Sequence, residues 1–149
     1  MSINSIIIGL SDLFKTIQYD NSTLGILGLV KTYPDQDLAK YGCEIQVYFD
    51  NLESKFLDTV TNRRNLSINV DILCHIADKQ EQGVANSNEL TERVLEKLEK
   101  FLPRLGSSIP NPSNICVNNN QIRASKLQIV DGKALRRIVI EVFEFVSTM

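Results

Sequence analysis

The stretch from Leu66 to Ala77 constrains the fold more than any other part of the chain. Leu66, Ile68, Val70, Ile72, Cys74 and Ile76 alternate with Ser67, Asn69, Asp71, Leu73, His75 and Ala77. Successive side chains of a β-strand point to opposite faces, so this segment gives a sheet one wholly apolar face and one largely polar face. One face of that sheet must meet a core.

The flanking segments supply partners and a cover. Ile3, Ile6, Ile7, Leu10, Leu13, Phe14 and Ile17 recur at spacings of three and four, which predicts an amphipathic helix over 3–17. Asp20-Asn21-Ser22 then marks a turn. Residues 24–32 read as a strand whose two glycines indicate a bulge or a close backbone approach. Residues 43–49 alternate Cys43, Ile45, Val47 and Phe49 with Glu44, Gln46 and Tyr48. The two runs are expected to form a hairpin with a long loop around Pro34. Residues 54–64 are ambiguous between a short strand and a helical turn. Residues 78–88 read as a loop ending in the N-cap candidates Asn86, Ser87 and Asn88. Behind them Leu90, Val94, Leu95, Leu98, Phe101 and Leu102 line one face of a second helix, which Pro103 is expected to end. A short strand is expected at 115–117. Asp131-Gly132, set between two β-rich runs at 122–130 and 135–146, is a strong type I′ hairpin signal.

Strands cluster along the chain and helices do not alternate with them. The expected class is therefore α+β, a mainly antiparallel sheet with two amphipathic helices packed on one face. The 149 residues suit a single domain spanning 1–149, able to bury roughly 68–70% of its unfolded surface. No repeat, low-complexity tract or linker interrupts it. Met1-Ser2-Ile3-Asn4 lacks a basic region, so no secretory signal is expected, and no apolar run approaches a membrane-spanning length. The three cysteines, Cys43, Cys74 and Cys116, are odd in number and have no CxxC spacing. They indicate neither a disulfide framework nor a zinc site, and a reducing compartment fits.

The net charge of −2 creates no global field for nucleic acid or anionic membrane. Residues 103–149 carry Arg104, Arg123, Lys126, Lys133, Arg136 and Arg137 against Asp131, Glu141 and Glu144, so the acidic excess lies elsewhere. Such asymmetry suits a subunit with two unlike neighbours, or an ordinary solvated surface. The only histidine, His75, lies next to Cys74 on one strand, so the two point to opposite faces and cannot form a nucleophile pair. Asp35 and Asp37 lack the rest of a calcium loop, and Gly25-Ile26-Leu27-Gly28 lacks the spacing of a phosphate-binding loop. No Gly-x-Ser-x-Gly elbow occurs. Arg63-Arg64 and Arg136-Arg137 have no aromatic interleaving for base stacking and read as charges flanking strands. No catalytic, metal or cofactor site is indicated.

An N-terminal helix leads to a hairpin with a Pro-containing loop. An Asn62-Arg63-Arg64-Asn65 step then enters the long strand Leu66-Ser67-Ile68-Asn69-Val70-Asp71-Ile72-Leu73. A helix of the form Leu90…Val94-Leu95…Leu98…Leu102 and a closing hairpin follow. This order resembles the tail terminator, or tail completion, proteins of long-tailed bacteriophages over nearly the whole chain. The resemblance implies a structural virion protein assembled in the host cytoplasm, without enzymatic activity or cofactor. It would form a homohexameric ring on the head-proximal end of the tail tube, stop tube polymerisation and present a docking surface to the head or neck. The implied partners are other copies, the tail tube protein and a head-completion or neck protein. DNA would pass through the lumen without sequence-specific binding.

Loops at 33–42, 50–65, 78–88 and 106–121 are the expected carriers of such contacts. Within them Tyr33, Tyr41, Phe56, Leu57, Arg63 and Arg64 are the candidate interface residues, because aromatic residues and arginine dominate interface energetics. Phe56 and Leu57 are equally open to a core reading. The competing functional classes are a small α+β enzyme with an unrecognised carboxylate or cysteine site, a neck or head-completion adaptor, and a nucleic-acid-binding module.

Overall fold

The structure, a computed structural model, describes residues 3–19, 27–35, 42–56, 61–76, 80–105, 115–117 and 123–147. Helix α1 (Ile3–Lys15) runs into a short 3-10 turn (Thr16–Tyr19). Strands β1 (Leu27–Lys31), β2 (Cys43–Phe56) and β3 (Thr61–His75) follow, then helix α2 (Gln80–Leu105). The chain closes with β4 (Ile115–Val117), β5 (Arg123–Ala124), β6 (Gln128–Val130) and β7 (Lys133–Ser147). One sheet in the order β1-β2-β3-β7-β4 contains them all, with β5 and β6 also paired to β7. The pairing is antiparallel except between β1 and β2, so the class is α+β with a mainly antiparallel sheet.

Both helices lie on one face of this sheet. Helix α1 crosses β1 and β2, α2 crosses β3 and β7, and the two touch. Leu10, Phe14 and Ile17 from the first segment, and Leu90, Val94 and Leu98 from the second, are fully buried against Ile45, Val47, Ile68, Val70, Ile72 and Ile138. Each such side chain contributes about 1.5–3 kcal/mol by leaving water. The apolar parity of Leu66–Ile76 is the floor of this core, and Asp131 (φ 49°) with Gly132 (φ 73°) forms the left-handed pair that a type I′ turn requires.

Four expectations need correction. Strands β1 and β2 do not form a hairpin: they are parallel, with Leu27 opposite Cys43 and Lys31 opposite Gln46. Alternation fixes which face a side chain takes, not the direction of the neighbouring strand. The bulge expected at the glycines is present as a register shift between Leu27 and Leu29. Second, 50–65 is not a loop. Apart from the segment 57–60, outside the described residues, it is the paired end of β2 and β3, with Phe56 opposite Asn62. The polar step Asn62–Asn65 is strand, because pairing on both sides satisfies its backbone whatever its side chains.

Third, α2 starts at Gln80, ahead of the N-cap candidates, and runs past Pro103 to Leu105. Gln82 donates to Asn86 Oδ1 at 2.9 Å and the Thr91 hydroxyl donates to the Ser87 carbonyl at 2.7 Å, so these polar residues are absorbed within the helix. Small residues are required there: a Cβ on Gly83 would collide with the Ile76 side chain and the His75 carbonyl, and Ser87 is fully buried. Fourth, Cys43 and Cys74 face each other across β2 and β3 and are joined by a disulfide bond. Their sequence spacing gives no hint of this, because the pairing follows from strand register. Among the described residues no helix is long and apolar enough to cross a membrane.

Candidate functional site

The face of the sheet away from the helices was expected to be largely polar. It is instead a built surface. Gln46, Asp71 and Arg137 form one cross-strand row on β2, β3 and β7. Arg137 donates from Nε to Asp71 Oδ1 at 2.8 Å and from Nη2 to Oδ2 at 3.2 Å. Tyr48 donates its hydroxyl proton to Asp71 Oδ2 at 2.6 Å and accepts from Arg137 Nη2 at 3.0 Å. Asp71 is buried, so its carboxylate depends on these donors. Burial raises the Tyr48 pKa above its ordinary 10.0, and Asp71 raises it further. The hydrogen bond to Asp71 is the largest cause of the raised Arg137 pKa. Ser125 holds the Arg137 backbone from the outside, accepting at Oγ (2.9 Å) and donating its N–H to the Arg137 carbonyl (2.7 Å).

A second group adjoins the first. Lys31 lies 2.9 Å from Asp35 Oδ2 and 3.1 Å from the buried Glu44 Oε2. The hydrogen bond to Asp35 raises its pKa above the ordinary 10.5; burial opposes this and Glu44 supports it. Gln46 exchanges hydrogen bonds with the Asp35 backbone, accepting at 3.1 Å and donating at 2.8 Å. The segment after β1 is thereby pinned over the open face.

Between this segment and the β6–β7 hairpin lies a cavity of about 360 Å³. Leu73, Leu135, Val130 and Pro34 give it apolar walls, and Asp35, Asp71, Asp131, Lys133, Gln46, Tyr48 and Arg137 give it polar ones. Its volume sits at the lower end of the range for small-ligand sites. Among the described residues no three His, Cys, Asp or Glu side chains are placed to hold a metal ion.

The other end of the sheet runs β2-β3-β7-β4 and has an open edge along β2. Strand β1 covers β2 only from Cys43 to Gln46, so beyond this the outer edge of β2 has no partner among the described residues. A register shift between Phe49 and Asn51 bends it, a device that discourages uncontrolled edge pairing. After the shift Leu52 and Phe56 lie opposite Leu66 and Asn62, on the helix-side parity of β3. Phe49, Leu52 and Phe56 are 36%, 43% and 68% exposed, an apolar row leading to the tip.

The sequence candidates divide accordingly. Phe56 is exposed and not core. Arg63 pairs with Lys55 and Phe145, and Arg64 with Ser54 and Glu144, so register sets both at the end of the sheet near Phe56, with Arg64 at the parity of Phe56 and Arg63 at the opposite one. Tyr33 is exposed and stands apart, beside the cavity-lining Pro34, with Lys31 Nζ 5.9 Å from its ring centre. Tyr41 and Leu57 lie outside the described residues. The doublet Arg136-Arg137 is split between the two faces of β7. Sequence reading missed the Tyr48–Asp71–Arg137 group, whose only sequence signal is a polar residue at matching parity on each of three strands. No protein-family model and no curated protein matches the chain.

Proposed function

We propose that this chain is a structural virion protein of the tail-terminator type. It caps the head-proximal end of a phage tail tube as a ring, stops tube polymerisation and forms the docking surface for the head or neck. The observation that carries this reading is the open edge of β2 beyond Gln46, where Phe49, Leu52 and Phe56 form an exposed apolar row. Exposed apolar residues grouped along one sheet edge favour a contact surface over a solvated one. Apart from the first two strands, which are parallel and not a hairpin, the element order of the tail-terminator resemblance supports the same role.

Contact suffices as mechanism. Identical subunits joined by unlike surfaces close into a ring when the rotation between them closes. One rim of the ring must match the tube, and the other must not reproduce the surface that recruits the next tube layer. A neck adaptor would use similar surfaces. The enzyme reading has one observation in its favour, the polar cavity, but Asp71 there is committed to Arg137 and Tyr48.

Electron microscopy of particles lacking the chain tests the proposal. Overlong tails unattached to heads are expected. Tails of normal length without heads would favour the adaptor, and normal particles would end both readings.

A further inference from the structure

We propose that the open edge of β2 recognises a second copy of the chain: Leu52–Phe56 of the two copies pair antiparallel about a two-fold axis through Ser54, so that each sheet continues into the other. This goes beyond the ring proposed above and concerns the chain on its own. The pair must open before the same edge can serve a neighbour in a ring.

Strand β1 pairs with β2 from Cys43 to Gln46 alone, so among the described residues nothing pairs with the outer side of β2 beyond it. Backbone N–H and C=O groups along such an edge offer hydrogen bonds to a further strand. The register shift between Phe49 and Asn51 breaks the regular edge on one side, which confines straight pairing to the residues after it. There Leu52, Ser54 and Phe56, opposite Leu66, Arg64 and Asn62, take the helix side of the sheet. Glu53 and Lys55, opposite Asn65 and Arg63, take the other side.

The segment is complementary to itself. An axis through Ser54 sets Leu52 of one copy opposite Phe56 of the other, and Glu53 opposite Lys55, with each pair occurring twice. Directly opposed apolar residues and opposite charges stabilise a sheet, and like charges destabilise it. Leu52 and Phe56, both exposed in the single chain, bury against each other in the pair. The neighbouring registers fail. An axis through Glu53 opposes that residue to its own copy, and an axis through Lys55 does the same with the other sign. An axis through Leu52 draws the irregular Phe49–Asn51 stretch into the ladder. An axis between residues opposes a helix-side residue to one of the other face, which a continuous sheet forbids. A second observation calls for a carboxylate at this place. Register sets Lys55 opposite Arg63, a like-charge pair beside the open edge, and the incoming Glu53 offsets it. The contact is isologous and closes after two copies, so the edge recruits no further chain.

Cross-linking and charge exchange in the full chain test the contact. In a Cys116→Ser background, S54C is expected to oxidise to a covalent dimer and nothing larger. E53C and K55C should each cross-link poorly alone and well when mixed, because only the mixed pair is directly opposed. Sedimentation velocity of the unaltered chain should show monomer and dimer in exchange, with the dimer growing as concentration rises. E53K or K55E alone is expected to weaken the dimer about tenfold, since each sets like charges opposite at two symmetric places. The double variant E53K/K55E restores opposite charges and should return the dimer to within about threefold of the parent. Circular dichroism should be the same for all of these, as the changes lie along the sheet edge. A parent chain that stays monomeric or assembles only into larger rings would overturn the inference. So would E53C or K55C joining its own kind better than the other, or a double variant as weak as either single one. A missing dimer with overlong tails in particles lacking the chain would leave the proposed function standing. The dimer with normal tails would leave this contact standing and remove that function.

Discussion

Replacing Arg137 with methionine should cost more stability than its partial exposure suggests. The substitution keeps most of the side-chain volume and removes both donors to Asp71, which is 5% exposed and would retain only the Tyr48 hydroxyl. Breaking a buried pair by deleting one partner costs about 3–5 kcal/mol. Arg137 is itself 44% exposed, so water screens the pair and part of that cost disappears. A loss of about 2 kcal/mol follows, or roughly 4–8 °C in Tm for a chain of this size. The decisive comparison is the double variant Asp71→Leu with Arg137→Met, which leaves no stranded carboxylate. It should be more stable than Arg137→Met alone, with a coupling energy of about 1–2 kcal/mol. Urea denaturation followed by circular dichroism measures all four corners of the cycle. Simple additivity, or an Arg137→Met loss below about 0.5 kcal/mol, would refute the view that this group is built around a dependent carboxylate.

Other expectations follow from the same structure. Denaturing alkylation of unreduced protein should label Cys116 and spare Cys43 and Cys74, and labelling of all three would contradict the cross-strand disulfide. Its removal, with the cysteines 31 positions apart, should cost about 3–4 kcal/mol in a denaturant titration. Gly83→Ala should destabilise by about 1–2 kcal/mol, because the collision with Ile76 and the His75 carbonyl exceeds the roughly 1 kcal/mol gain in helix propensity; a rise in Tm would contradict this. Tyr48 and Lys31 both have raised folded-state pKa values, so their contribution is whole below the unfolded values of 10.0 and 10.5 and is lost as pH rises through the folded ones. The urea midpoint should therefore fall above pH 10.0, less steeply in Tyr48→Phe, and a flat midpoint across that range would contradict the assignment.

The fold was legible where periodicity was long and one-sided. Leu66–Ile76 and the apolar positions of 3–17 and 90–98 announced the core, and Asp131-Gly132 announced its turn. Strand direction and length were not legible. Neither the glycines near Leu27 nor the polar Asn62–Asn65 states what it pairs with, since backbone pairing satisfies polar and apolar residues alike. Gln80–Asn88 looked like a loop because its polar residues and Gly83 suit turns, whereas packing against the end of β3 demands small residues in a helix. Of the sequence candidates, residue type singled out Phe56, which is exposed. The Tyr48–Asp71–Arg137 group escaped because only the registers Gln46–Asp71 and Asp71–Arg137 bring its three strands into line.

In the function proposed, this chain acts by occupying a tube end through its surfaces. The most direct test adds purified chain in increasing amounts to tail tube subunits of the same virus as they polymerise, and measures tube lengths and the bound chain by electron microscopy. Mean length should fall as the ratio rises, with the chain found as a ring at one end only, and Phe56→Ser should blunt the effect. Unchanged lengths, with the chain left unbound or spread along the tube wall, would contradict the account.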